Sequence, residues 1–347
     1  MITIKNIKKL LLCLGFAVLC NVAFAQNKLM VENLKSINTQ LFCLTTATDT
    51  IEFIKIDTVN KKKPVFLFIQ GSLPRPLIVD YNNYGYYLAG FNFDVKILND
   101  FNVVEIAMPN TPAMLKETQL DSQGSYVKSK KPYDFDKTYM RRNVIETYVE
   151  RANAVIDCLM RQEWIEKDSI YVYGHSQGAL VATRMAAENE NIKIVGFSGS
   201  NPLGRYAGII QETRANAIRG QITEEEVQKE IENNWISWRY MVQATEVPYN
   251  WNSDLPATWK SFSQPVVEIL ANLKQPVFVA YGTRDYHSLA CELLPIYFGL
   301  SGKTNYQMHP MLGRGHNFEL IDEDGKPDWN DVKSNDVIME FVKFVKQ

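Results

Sequence analysis

An α/β fold built on a mostly parallel sheet is predicted by three features of the chain. Short apolar runs alternate with helix-patterned stretches, the mark of layered sheet and helix. One run, residues 64–69, is apolar at every position, as expected of a strand buried on both faces. The 347 residues are 46% hydrophobic and 22% charged, enough apolar material for a large core and too much for a disordered chain. No internal repeat is visible.

Residues 1–25, MITIKNIKKLLLCLGFAVLCNVAFA, begin with Lys5, Lys8 and Lys9, continue through an apolar run from Leu10 to Leu19, and end on Ala23-Phe24-Ala25. That is the pattern of a secretory signal peptide. The run is short for about 30 Å of hydrocarbon, and bulky Leu19 before Cys20 speaks against a lipoprotein anchor. An exported protein, periplasmic or extracellular, is therefore expected. Removal of the leader turns a formal charge of −2 into −5 and leaves Cys43, Cys158 and Cys291, expected as packed small residues with at most one disulfide. No later stretch of about 18 apolar residues follows, so stable membrane insertion is not expected. The absence of a basic excess argues against nucleic acid as a partner. With no CxxC pair and no Cys/His cluster, no metal site is predicted.

Beyond the leader, residues 40–57 read as two strands with a turn near Thr48-Asp49. After the 64–69 strand come a helix over 91–99, a strand over 103–108 and a polar loop over 109–136 holding Lys128, Lys130 and Lys131. Val144, Tyr148, Ala152, Val155, Ile156 and Leu159 recur at helical spacing within 137–163. Strands at 169–173 and 192–197 flank a helix at 177–188. Strands at 276–281 and 304–308 flank a helix at 288–298, and a helix over 332–345 closes the chain. Residues 204–274 break the alternation: they are helical and polar, carry Glu224-Glu225-Glu226 and hold Trp235, Trp238, Trp251 and Trp259. They read as a helical cap inserted after the sixth strand, dividing a core of residues 26–203 and 275–347.

The chemistry sits in Gly174-His175-Ser176-Gln177-Gly178, placed between a strand and a helix. A tight turn there projects the Ser176 hydroxyl, and only small neighbours fit. The helix opening at Gln177 aims backbone N–H groups at a developing oxyanion. A serine nucleophile needs a base. His175 adjoins the serine and should diverge from it, His287 is expected at the surface, and His309 ends the last strand. His316, in Gly313-Arg314-Gly315-His316, lies in a flexed loop after that strand, where the base belongs in the order Ser, Asp, His. Asp285, after the 276–281 strand and Gly282, is the candidate carboxylate to orient it. The loop Gln70-Gly71-Ser72-Leu73 is expected to give a second oxyanion N–H, from Ser72 or Leu73.

Together the Gln-Gly-Ser, Gly-His-Ser-Gln-Gly, Gly-Thr-Arg-Asp and Gly-His segments resemble the α/β-hydrolase superfamily, and most closely its dienelactone-hydrolase-like and prolyl-oligopeptidase-like serine esterases. The resemblance implies Ser176, Asp285 and His316 as a triad, Gln177 and Ser72 as oxyanion donors, no cofactor and a small-molecule acyl substrate. Gln70-Gly71 stands where many relatives have His-Gly, and Ala179 where many have a second glycine. Cap tryptophans Trp235, Trp238 and Trp251 are expected to line the substrate pocket. Two other readings stay open. One is an exported peptidase whose acidic cap run, or Glu232, binds a peptide amino terminus; the other is a non-catalytic binding module on the same scaffold.

Overall fold

The computed structural model describes residues 28–90, 93–129, 131, 134–244 and 254–347. The leader, the start of the 91–99 helix, Lys130 and Trp251 lie outside the described residues. The strands are β1 (Lys28–Leu34), β2 (Thr39–Thr45), β3 (Thr50–Ile56), β4 (Lys63–Ile69), β5 (Ile78–Asp80), β6 (Tyr86–Leu88), β7 (Asn102–Ile106), β8 (Met114–Lys116), β9 (Ile165–His175), β10 (Ile192–Ser198), β11 (Val277–Gly282), β12 (Tyr306–Met311), β13 (Glu319–Ile321) and β14 (Pro327–Val332). The α-helices are α1 (Lys137–Arg142), α2 (Ile145–Leu159), α3 (Gln177–Glu188), α4 (Arg205–Ile218), α5 (Glu224–Gln243), α6 (Pro256–Phe262), α7 (Val267–Asn272), α8 (Leu294–Ser301) and α9 (Ser334–Val345).

Nine strands form the main sheet in the order β1-β2-β3-β7-β4-β9-β10-β11-β12. From β7 to β12 all neighbours are parallel, while β1, β2 and β3 add to one side as antiparallel strands. Alternate residues of β4 feed two cores: Val65, Leu67 and Ile69 pack with α2, α3 and α8 on one face, and Phe66 and Phe68 with α9 on the other. This is why the 64–69 run shows no polar alternation.

Several elements depart from the sequence reading. Strand β1 is mostly exposed and carries no apolar period; pairing with β2 along its full length forms it. With β1 counted, the helical insertion follows the seventh strand of the sheet, β10. The 109–136 loop contains β8, which joins β5 and β6 in a small sheet. The 91–99 helix is a 3₁₀ turn, Val95–Asn99, with Asp94 capping it. The 137–163 helix breaks at Asn143, whose ψ of 66° leaves the helical region, and Val144 is extended. The 288–298 helix is a 3₁₀ turn, Leu289–Leu293, followed by α8 with Pro295 in its first turn. His309 lies inside β12 rather than at its end. The last helix starts at Ser334 because residues up to Val332 pair in the β13–β14 hairpin.

The inserted region also differs from a separate cap over 204–274. Helices α4 and α5 pack on each other, but Phe262, Val266, Val267, Leu270 and Ala271 belong to the core cluster beneath the sheet. Among the described residues all three cysteines are free, Cys158 and Cys291 buried and Cys43 half-buried. No described helix is long and apolar enough to cross a membrane.

Candidate active site

Strand β9 runs into α3 through a single residue, Ser176, held at φ 56° and ψ −128°. A non-glycine residue at positive φ is strained and persists only where its surroundings enforce it. Here they do. The Ser176 N–H donates to the Ser198 carbonyl at the end of β10 (2.9 Å). A Cβ on Gly178 would lie 2.2 Å from the Ile69 carbonyl oxygen, and one on Gly174 would lie 2.2 Å from that of Gly178. The turn closes only with glycine on both sides.

The ends of three further segments converge on this serine. The loop after β12 places His316 Nε2 3.0 Å from Ser176 Oγ, and His316 Nδ1 lies 3.0 Å from Asp285 Oδ2, in the loop after β11. The loop after β4 passes alongside, so that a Cβ on Gly71 would lie 3.6 Å from the Ser176 Cβ. The Gln177 N–H belongs to the first turn of α3, where helical N–H groups have no intrahelical acceptor. Burial alone would lower the His316 pKa, but the hydrogen bond and charge of Asp285, aided by Glu319 and Glu212, outweigh it and hold the imidazole above its ordinary value. Burial would raise Asp285, but its contacts with His316 and Ser288 bring it below the usual carboxylate value. Among the described residues no group of His, Cys, Asp and Glu side chains is arranged to hold a metal ion.

The other histidines are differently placed. His175 turns away from the Ser176 hydroxyl towards Ser198 Oγ (3.1 Å), and its ring lies 5.2 Å from that of His316. Burial, and then the neighbouring His316, lower its pKa to about 3, so it stays neutral. His287, expected at the surface, instead packs against Gly208 and lines a small pocket beside Ser176. Its short loop after Asp285 gave no sequence signal of that direction.

A buried polar chain supports the elbow from behind. Asn143, fully buried, accepts hydrogen bonds at Oδ1 from Gln177 Nε2 (3.2 Å) and the Tyr148 hydroxyl (2.9 Å), and donates from Nδ2 to Asp254 Oδ1 (3.2 Å). Asp254 also pairs with Arg205 (2.6 Å), whose guanidinium lies over the Trp259 ring. The Tyr139 hydroxyl donates to the Ser72 carbonyl (2.9 Å). Both segments expected to supply oxyanion donors are thus tied to residues 139–148. Sequence reading missed these residues because their partners lie far away in the chain.

Two cavities meet at Ser176. A larger one of about 380 Å³ is lined by Gln70, Leu73, Arg75, Glu105, His316 and Phe318, among others. A smaller one of about 60 Å³ is lined by Gln177, Leu180, Ser200, Arg205, Phe262 and His287, and Ser72 and Ser176 line both. Among the described residues Trp235 and Trp238 line neither, a correction to their expected role: Trp235 faces solvent, and Trp238 packs 4.8 Å from the Tyr206 ring between α4 and α5. Trp251 lies outside the described residues. Two of the three acids of the run have local partners. Glu226 closes a capping box with Thr223 at the start of α5, and Glu224 pairs with Arg214 at an exposed site.

No protein-family model matches the sequence, and no curated protein matches it significantly. Solved structures do match. A glucuronoyl esterase from Solibacter usitatus aligns with a TM-score of 0.50 at 10% identity, covering 94% of this chain and 86% of that one. An acylaminoacyl peptidase, in complex with Z-Gly-Gly-Phe-chloromethyl ketone, aligns with a TM-score of 0.50 at 12% identity, covering 96% of this chain and 43% of that one. At such identities the likeness speaks for architecture. Sheet order, the strand–serine–helix elbow and these matches agree: the chain has the α/β-hydrolase fold.

Proposed function

We propose that the protein is a serine hydrolase that cleaves carboxylic esters of small molecules through an acyl-enzyme. The observation that carries this reading is the pair of 3.0 Å contacts joining Ser176, His316 and Asp285 at a strained elbow. Ser176 Oγ attacks the ester carbonyl as its proton passes to His316 Nε2. Asp285 accepts from Nδ1–H and stabilises the imidazolium. The Gln177 and Ser72 amides hold the oxyanion. Collapse breaks the carbon–oxygen bond, and His316 returns the proton to the departing alkoxide. Water, deprotonated by His316, then attacks the acyl-enzyme; the carboxylic acid leaves and Ser176 regains its proton.

Ester cleavage is preferred to peptide cleavage because, of the acids offered as an amine site, Glu226 is engaged in capping, Glu224 in pairing with Arg214, and Glu232 in accepting from Gln228 Nε2 (3.1 Å), all on exposed helix surface. Hydrolysis of p-nitrophenyl acetate by the wild type, reduced at least 1,000-fold in Ser176→Ala, is expected, since removing a triad member costs several orders of magnitude. Equal rates in the two proteins would sink the reading. The lysine-rich, apolar, Ala-Phe-Ala sequence of residues 1–25 supports export with cleavage before Gln26. Amino-terminal sequencing of secreted material that begins at Met1 would refute that part.

A further inference from the structure

The two cavities at Ser176 differ about sixfold in volume, about 380 against about 60 Å³. Ser72 and Ser176 belong to both, so the reacting carbonyl carbon sits at their boundary. Only the larger is lined by His316. The histidine that takes the serine proton must hand it to the leaving oxygen, so the leaving group has to lie on the side His316 lines. The acyl substituent is then left with the other side.

Resting on the esterase reading above, we infer that the enzyme takes esters of short acyl groups with bulky alcohols, the acyl group in the small pocket and the alcohol in the large one. At about 15 Å³ of such space per group, the upper figure for a water because a methylene is no smaller than one, 60 Å³ holds about four. Its walls have little room to retreat. Leu180 and Phe262 are buried in the main core, and close-packed cores resist displacement. His287 is backed by Gly208, where even a Cβ would lie 2.4 Å from the ring. Arg205 is held by Asp254 and Trp259. The large cavity instead presents Gln70, Arg75, Asn317 and Ser334 beside Phe68 and Phe318, a mixed surface with space for a substantial alcohol.

The test is a chain-length series. An open apolar acyl site would make longer esters better, by about fourfold for each methylene withdrawn from water. A small pocket reverses the trend. For p-nitrophenyl acetate, propionate, butyrate, hexanoate and octanoate, kcat/KM is expected to fall at least tenfold from the best of the first three to hexanoate. Across 4-nitrophenyl, 4-methylumbelliferyl and 2-naphthyl acetates, corrected for leaving-group pKa, it should stay within about threefold. In His287→Ala the hexanoate-to-acetate ratio should rise at least fivefold. A smaller fall, a rise with acyl length, a sharp loss with bulky alcohols, or an unchanged ratio in folded His287→Ala overturns the inference while leaving the esterase reading intact. If no ester is hydrolysed and a fluorophosphonate fails to label Ser176, the esterase reading fails and this inference with it.

Discussion

Ser176 pairs a strained backbone with a hydroxyl aimed at a single imidazole, and the protonation of that imidazole governs the proposed chemistry. His316 is held above its ordinary pKa by Asp285 against the opposing effect of burial. Attack needs the neutral ring, so activity is present above the His316 pKa and lost as pH falls through it. The kcat/KM profile for p-nitrophenyl acetate should therefore rise with pH in one step whose midpoint lies above the ordinary histidine value of about 6.5. His175 adds no second step near neutrality, because it is already neutral there. In Asp285→Asn the step should move to lower pH and the plateau drop by about 10⁴-fold, as the imidazole loses its carboxylate. An unmoved midpoint would refute Asp285 as the cause of the shift. These three residues were legible in the sequence because each stands in a short context with its own physical requirement: small residues around the serine, a glycine turn before the aspartate, a glycine-flexed loop before the histidine. His287 was misread because nothing local shows that its ring turns inward; Gly208, a distant residue, leaves the space for it.

At the scale of elements, the break between α1 and α2 is the least expected feature. Apolar spacing over 137–163 predicts one helix, and helical structure does persist on either side of the break, with the buried apolar stripe on α2. What interrupts it is Asn143, whose amide satisfies Gln177, Tyr148 and Asp254 together. A buried amide with so many partners holds its neighbours to one geometry. Asn143→Ala should lower kcat about tenfold with KM within about threefold, since loss of a whole oxyanion donor costs about 10²–10³ and a loosened one costs less. Steady-state kinetics on the acetate ester, with thermal melting to confirm folding, checks it; an unchanged kcat would show that Gln177 needs no such support. Strand β1 was invisible for a related reason: an exposed edge strand carries no apolar period, and its backbone pairing with β2 supplies what its side chains do not.

Across the whole molecule, the antiparallel β2–β3 hairpin packs Phe42, Leu44, Ile51 and Phe53 into the core it shares with α2, and a carboxylate in its turn adds a polar tie to the helical layer. Asp49, in the hairpin turn, bonds Arg151 (2.5 Å) and Arg142 (2.8 Å), and Arg151 is nearly fully buried. Asp49→Ala leaves that guanidinium with the Ala107 carbonyl as its remaining hydrogen-bond partner, and should destabilise the protein by about 3–5 kcal/mol in urea unfolding. Burial would raise the Asp49 pKa, but the two arginines outweigh it and bring it below the usual value. Its contribution is thus present above the unfolded pKa and lost as pH falls through the lower folded one. The difference in stability between wild type and Asp49→Ala should shrink in acid; a constant difference from neutral pH down to about 3 would contradict this.

The alternation of strands and helices, the elbow and the Ser, Asp, His order could all be read from the chain, because each depends on local periodicity or on a few adjacent small residues. Three features could not. The sheet order sets β7 beside β3 and β4, far from its place in sequence. The tail of the 204–274 insertion sinks into the main core. The space at Ser176 divides unequally between two cavities. Each is settled by side chains that meet across tens of residues or more, and such meetings are made by close packing of the folded core, which no local pattern records.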